Sequence, residues 1–507
     1  MNRRTVLATL ALGAYFFVLA RHTALAVGGS DSSGYMNEAR LFASGRMKAP
    51  VEPLRTMKLP SSFTHCFTPL GFLTAPRGKM TPSYPPGLPL HFALAGMIGG
   101  WSHAPFYLVP LLATLSLLLM FGVSRELGLS GVWSAVAAAI LASIPIFLSS
   151  AIQPLSDDVA LFWALLAMLC ALHGERASRP QTAARLVPPS SPPDETSGGW
   201  RAGRPLAAFL AGIAFAIGVW VRPTNLLMAL PLAIALRWRW PLLWRAALGA
   251  IPIGAALAWY QAVQFGSPFR TGYGGVGEML QASIIAKCAP HHLLWLAKTM
   301  SPLAILGLLF AVADRRLERR MRILLPAWIG IFFLFYMAYD ICADWWDIRF
   351  LLPGIPALIV GPLLVLQRLA TTRVRSIIAA ALALVLLATP IVMSKRLRVF
   401  DYGEGELQWP RMVRWTEAQL PPDALLISGI FSGAFYYYAD RFTVRWDQLS
   451  TDDYQLMRAY AGNANLHWYA MFSSVADTSE EELVRRYPGR WTVVGRNRDV
   501  TLWRLDD

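Results

Sequence analysis

Charge is scarce in this chain. Only 15% of its 507 residues are Asp, Glu, Lys or Arg, where soluble domains carry about a quarter. With 55% hydrophobic residues and a mean hydropathy of +0.42, an ordinary soluble globular protein is excluded. Acidic residues are scarcer than basic ones, 31 against 46, which leaves a net charge of +15. Phosphate-cradling glycine motifs are absent: there is no Walker loop and no G-x-G-x-x-G fingerprint, so nucleotide-dependent classes built on them are excluded. Cysteines number four, Cys66, Cys170, Cys288 and Cys342, and no zinc-type Cys/His spacing connects them. No metal or cofactor is therefore expected, with a divalent metal left open. Three of the cysteines fall on one side of the topology derived below, which allows one disulfide without assigning its partners.

What the chain does have is long apolar runs, each near the roughly 20 residues that cross a bilayer. The first covers residues 5–27. Met1-Asn2-Arg3-Arg4 before it and Ala24-Leu25-Ala26 at its end imitate a cleavable signal peptide. Arg21 and His22 interrupt the cleavage region, so an uncleaved anchor is expected, with Arg3 and Arg4 holding the N-terminus inside. Further spans are expected at 105–124, 131–150, 158–174, 205–221, 224–238, 243–263, 300–313, 322–340, 349–367 and 376–393, about 11 in all. Residues 28–104 become an outer loop, in which the Pro/Gly-rich stretch from Tyr84 to Ile98 reads as a helix lying in the interface. This count places Arg125, Arg176, Arg179, Arg185, Arg201, Arg204, Arg237, Arg239, Arg245, Arg315, Arg316, Arg319, Arg320, Arg322, Arg368, Arg373 and Arg375 in inner loops, as the positive-inside rule requires. That accounts for the basic balance without nucleic acid as a partner. Residues 177–203, with two Pro-Pro pairs, read as a disordered inner loop. The expectation is a polytopic α-helical protein of the cell inner (plasma) membrane, with a module at 1–398 and a soluble α/β domain at 399–507 on the outer, periplasmic side. In that domain Trp409–Leu420 reads as an amphipathic helix. Strands are expected at 424–428, 442–446, 467–472 and 491–495, and Ser479 with Glu482 as a capping box.

The topology gathers polar residues on the outer face: Asp31, Tyr35 and Glu38; Gln153, Ser156, Asp157 and Asp158; Arg222; Arg270 and Tyr273; Lys287, His291 and His292; Asp340, Asp344, Asp347 and Arg349. Each has an ordinary reading. Asp31 and the Asp157-Asp158 pair suit helix caps, Arg222 and Arg349 suit snorkelling to headgroups, and Tyr273 suits an aromatic belt. Together they put carboxylates beside cations at span ends facing one compartment. A carboxylate suits general-base work, and Arg suits a bidentate grip on phosphate.

An ordered series of short motifs adds a resemblance. Asp31, Tyr35, Ala39-Arg40 and Ala43-Ser44-Gly45 follow the first span. Tyr84-Pro85-Pro86-Gly87 opens the interface helix, and Ser156-Asp157-Asp158 opens span four. Arg222-Pro223-Thr224, Gly266-Ser267-Pro268 and Arg349-Phe350-Leu351-Leu352-Pro353 complete the series. In this order, across residues 1–370, the chain resembles the C-type glycosyltransferases. The likeness is to the family-39-like branch that includes protein O-mannosyltransferases and the bacterial lipid A aminoarabinose transferase. The resemblance implies an inverting transfer of a sugar from a polyprenyl-phosphate carrier to an acceptor outside the cytoplasm, of the class of cell-envelope glycans, lipids or proteins. It implies catalytic roles for Asp31 and Asp157 and substrate contacts for Tyr35, Asp158, Arg222, Arg270, Tyr273 and Arg349. Two departures stand out. Ser32 replaces the Glu that usually follows the first Asp of the mannosyltransferases, and Tyr84-Pro85 stands where the aminoarabinose transferase has Glu-Lys.

The chemistry has its own logic. Outside the cytoplasm there is no nucleotide-sugar pool, so a sugar donor has to be lipid-linked. Two rival classes are a secondary transporter and a non-catalytic envelope assembly protein. No internal repeat or pair of broken helices is read from the sequence, and the charges cluster at one side instead of the midplane, which disfavours the transporter.

Overall fold

The computed structural model describes residues 3–176, 198–275, 277, 280–463, 466–473 and 480–506. Residues 177–197 of the loop expected at 177–203 therefore lie outside the described residues, as does Ser479 of the expected capping box, while residues 198–203 are helical and open the helix Gly198–Val221 instead of ending a loop.

The helices in chain order are α1 (Arg3–His22), α2 (Asp31–Ala43), α3 (Gly87–Gly99), α4 (Ala104–Glu126), α5 (Gly131–Ser143), α6 (Pro145–Ala151), α7 (Asp157–Arg176), α8 (Gly198–Val221), α9 (Ala229–Ala235), α10 (Trp240–Phe265), α11 (Ile285–Met300), α12 (Pro302–Ala313), α13 (Arg319–Tyr336), α14 (Ile355–Leu369) and α15 (Arg373–Arg396). Among the described residues six helices are long and apolar enough to cross a bilayer, or eight if each of two bent pairs counts as one span. Eight of the about 11 expected segments fall on these helices, and the other three, 205–221, 224–238 and 322–340, fall on helices that do not meet that length and composition test. The causes are local. Segment 224–238 divides into a 3-10 turn, Pro223–Met228, and the short α9. Segment 322–340 falls on α13, which opens with Arg319, Arg320 and Arg322. The bent pairs, α5–α6 at 65° and the helices on either side of Ser301 at 102°, break before Pro145 and Pro302, where the ring removes a donor and restricts the preceding residue. Broken helices, which the sequence reading did not anticipate, are therefore present.

Outside the helical bundle, β1 (Ala49–Pro50), β2 (Phe72–Ala75) and β3 (Lys79–Pro82) form a small antiparallel sheet in the first loop, in the order β1-β3-β2. The C-terminal segment builds a mixed sheet β4-β5-β7-β6 from Ala424–Ile427, His467–Ser473, Val500–Asp506 and Arg490–Asn497. β4 and β5 are parallel and the other pairs antiparallel. Around it lie α16 (Gln408–Glu417), α17 (Ser432–Ala439), α18 (Thr451–Asn463) and α19 (Glu480–Arg486). The strand expected at 442–446 is reduced to one bridge between Val444 and Ile427. The next amide, Arg445 N–H, donates to Cys66 O at 2.7 Å, so the ladder stops there. β7 was not anticipated.

First loop and C-terminal segment share one hydrophobic core, in which Phe63, Phe67 and Met80 pack with Ile427, Tyr454 and Trp468. α17 docks directly on α2. Asn37 Nδ2 donates to Gly433 O at 3.0 Å, and Arg40 donates to Tyr437 O at 2.6 Å while its guanidinium lies 3.6 Å above the Tyr437 ring. The helix that begins with Asp31 is thus fixed from the C-terminal side.

Candidate functional site

α2 starts where Gly29, with φ of 58°, turns the chain sharply after the first span. A left-handed residue suits Gly because it lacks a Cβ. Ser32 closes the turn, its hydroxyl accepting from Gly28 N–H at 2.9 Å. Asp31 stands in the first turn of α2, where the helix dipole favours a carboxylate. Gly34, one turn on, lets Tyr84 come alongside, since a Cβ there would overlap the Tyr84 ring. Tyr84 then donates its hydroxyl to Asp31 Oδ1 at 2.8 Å. Burial, and the neighbouring Asp31 charge, push the Tyr84 phenol above its ordinary range, so it keeps the proton that it donates.

A 3-10 turn at Trp345–Gly354 brings Arg349 in from the far end of the sequence. Asp344 and Asp347 form the box that caps this turn, with Asp347 Oδ2 accepting from the amides of Ala343 and Asp344 at 2.8 Å each. They are structural supports. Arg349 Nη2 donates to Asp31 Oδ2 at 3.3 Å.

A second pair faces the first. Asp157 opens α7, and Arg222, immediately after α8, binds its carboxylate directly. This pair is tightly enclosed, with Asp157 3% and Arg222 12% exposed, whereas Asp31 is 36% exposed. Phe350 spaces the two cations. Its ring centroid is 4.6 Å from the Arg222 guanidinium carbon and 5.1 Å from that of Arg349.

Between the pairs lies a cavity of about 230 Å³. Asp31, Tyr35, Ser156, Asp157, Arg222, Tyr273 and Arg349 line it, together with the aromatic side chains of Phe335, Tyr336, Tyr339 and Phe350. Tyr35 donates to Ser156 Oγ at 3.1 Å. Tyr273 meets the edge of Tyr84 at 5.9 Å between ring centroids.

Six of the eight candidates from the sequence therefore line one cavity: Asp31, Tyr35, Asp157, Arg222, Tyr273 and Arg349. Two do not. Arg270 is exposed and outside the lining, although Thr271 and Tyr273 of the same loop reach it. Asp158 is wholly buried, does not reach the cavity, and has no hydrogen-bond partner on either carboxylate oxygen. The reason is helical geometry: one step along a helix turns a side chain by about 100°, and Asp158 faces the Tyr15 side instead. Glu38 is also buried away from the cavity, where it accepts from Tyr260 at 3.2 Å, and burial raises its carboxyl above the ordinary range.

Several residues of the site were missed. Tyr84, read as part of a helix-opening motif and as a departure from a family pattern, lies outside the cavity lining but holds Asp31. Tyr336 and Tyr339, at the end of α13 and just beyond it, resemble an aromatic belt in sequence and line the cavity. Tyr336 in fact donates to Thr224 at 2.7 Å, joining α13 to the turn after Arg222. The one disulfide found joins Cys288 to Cys342, Cα atoms 5.2 Å apart, and so ties α11 to the loop leading into the Arg349 turn. His291 accompanies it, its Nε2 3.0 Å from Asp344 O.

No family model matches the sequence, and no curated protein matches it. Solved structures do. The chain is similar to ArnT from Cupriavidus metallidurans bound to undecaprenyl phosphate, with a TM-score of 0.57 at 13% identity, covering 99% of this chain and 98% of that one. It is similar to the oligosaccharyltransferase of Archaeoglobus fulgidus, with a TM-score of 0.54 at 12% identity, covering 91% and 69%. It is also similar to the mycobacterial arabinofuranosyltransferase AftD, with a TM-score of 0.56 at 14% identity, covering 100% of this chain and 42% of that one. These neighbours are C-type glycosyltransferases, and the chain has their fold.

Proposed function

We propose that the protein is an integral-membrane glycosyltransferase. It moves a sugar from a polyprenyl-phosphate carrier to a hydroxyl of an acceptor outside the cytoplasm, with inversion. The observation that carries this reading is the cavity in which an accessible carboxylate, Asp31, and two guanidinium groups, Arg222 and Arg349, face the same space among aromatic walls. The fold shared with ArnT, whose structure holds undecaprenyl phosphate, supports a lipid-linked donor.

The chemistry follows from the geometry. Asp31 takes the proton of the acceptor hydroxyl as its oxygen attacks the anomeric carbon. The bond from that carbon to the phosphate oxygen breaks, and the polyprenyl phosphate leaves with the bonding pair. Positive charge grows on the anomeric carbon in the transition state, so a nearby carboxylate stabilises it. Arg349 and Arg222 neutralise the leaving phosphate. Asp157 acts through Arg222, holding it at the cavity wall, and Tyr84 holds Asp31. Phe335, Tyr336, Tyr339 and Phe350 supply the apolar surface for sugar faces and the first isoprene units. The acceptor belongs to the cell-envelope glycans, lipids or proteins, and the soluble segment faces the same exterior compartment.

The test is a transfer assay on purified protein with polyprenyl-phosphate sugars and envelope acceptors. Bond cleavage that requires Asp31 supports the reading. Movement of substrate across vesicles without cleavage would favour a transporter, and neither activity would leave an assembly protein.

A further inference from the structure

Away from the cavity, three metal-ligating side chains converge where the first loop meets the C-terminal segment. His65 and Cys66 sit on the helical turn Thr64–Phe67, and Asp453 sits in the first turn of α18. His65 Nε2 is 3.4 Å from Cys66 Sγ and 3.6 Å from Asp453 Oδ2. All three donor atoms lie within 4.8 Å of one another. A tetrahedral zinc with bonds of about 2.3 Å to sulfur and about 2.0–2.2 Å to nitrogen and oxygen holds neighbouring ligand atoms about 3.3–3.6 Å apart. Two edges of this triangle match that spacing.

The surroundings point the same way. His65 Nδ1 lies 2.7 Å from Ser62 O. A carbonyl only accepts, so Nδ1 carries the proton and a neutral ring presents its Nε2 lone pair to Cys66 and Asp453. Such a backbone partner on the far nitrogen is the usual support of a metal-bound histidine. Asp453 Oδ2 is held in turn by the Ser450 hydroxyl, which donates to it at 2.6 Å. A ring lone pair and a carboxylate oxygen then face each other across a gap that a cation suits. Cys66 is buried, while His65 and Asp453 keep an open edge, 37% and 28% exposed, where a water can complete the coordination.

We propose that His65, Cys66 and Asp453 form a zinc site that fastens the first loop to the C-terminal segment. Thiolate, imidazole and carboxylate together select zinc over calcium or magnesium, which prefer all-oxygen sites. Binding forms a zinc–sulfur bond and releases the thiol proton to solvent. None of the three residues lines the Asp31 cavity, so the ion is structural, and the site stands whatever the transferred group is.

The test uses the tag-free full chain in detergent, stripped with a chelator and reloaded with Zn²⁺ alone. Wild type and Cys170→Ser are expected to retain about one zinc through desalting, and Cys66→Ser and Asp453→Asn to lose it, with stripping lowering the melting midpoint only where the site is intact. Co²⁺ in place of zinc is expected to give a thiolate-to-metal absorption band in wild type and in Cys170→Ser. This reads the site without relying on a variant that fails to fold. Equal zinc retention by Cys66→Ser would mean an adventitious ion only and would overturn the proposal. So would a wild-type protein that holds no zinc and shows no cobalt–thiolate band.

Discussion

The two ends of α7 carry the same kind of charge and do different things with it. At one end Asp157 binds Arg222 beside the Asp31–Arg349 pair. At the other, Glu175 is gripped by Arg237 at 2.6 Å and by Arg320 at 2.7 Å and is 3% exposed. The crevice beside Glu175 has no aromatic side chain in its lining, whereas six aromatic residues line the cavity beside Asp157. An acid paired with arginine at a span end is therefore no mark of chemistry by itself. What sets the first end apart is Asp31, a carboxylate held by one phenol and one loosely placed guanidinium, and open to an aromatic-walled space.

Substitutions at the two ends sharpen this contrast. The largest effect is expected from Asp31→Asn, which keeps the shape and removes the base. Transfer should fall by roughly 10²–10⁴-fold with expression and melting behaviour unchanged, and wild-type rates in a purified transfer assay would break the assignment. Arg349→Ala comes next, with a loss of about 10²–10³-fold in kcat. Arg349→Lys should recover only part of it, because a point charge lacks the planar fork; full recovery would argue against a bidentate phosphate contact. Tyr84→Phe removes one hydrogen bond to a charged group, worth about 1.5–3 kcal/mol. Roughly a tenfold loss in turnover with donor affinity unchanged is expected, and a change in KM alone would place Tyr84 on substrate instead of on Asp31. The smallest effect on activity is expected at the other end. Glu175→Gln should keep transfer within about twofold per folded molecule while lowering the melting temperature, since breaking a buried pair costs about 3–5 kcal/mol. Lost activity in folded Glu175→Gln protein would erase the distinction between the two ends.

Much of the site was legible because membrane topology is a strong constraint. Once the arginine-rich loops set which span ends face together, Asp31, Asp157, Arg222 and Arg349 had to share a face, although up to 318 residues separate a bonded pair. The sequence resolves faces, not directions on a face. Asp157 reaches the cavity and Asp158 does not, a difference of one helical step. Thr271 and Tyr273 turn inward and Arg270 outward, a choice made by a loop with no period to read. The support of Asp31 was illegible for another reason. Tyr84 meets it only because Gly34 leaves room, and Arg40 belongs to the anchoring of α17 instead of to the cavity. Such packing between distant segments has no local pattern. Helix breaks were illegible for a related reason: apolar length shows through in sequence, while the break before Pro145 divides what reads as one span at 131–150.

The most direct test of the central claim does not depend on which sugar is moved. A photoreactive polyprenyl phosphate, activated on the purified wild-type protein and mapped by peptide mass spectrometry, should label the stretch from Phe335 to Phe350 and the loop at Tyr273. Arg349→Ala combined with Arg222→Ala should abolish that labelling while the protein remains folded. Labelling confined to other surfaces, or unchanged in the double variant, would contradict the assignment of this cavity to a lipid-linked phosphate.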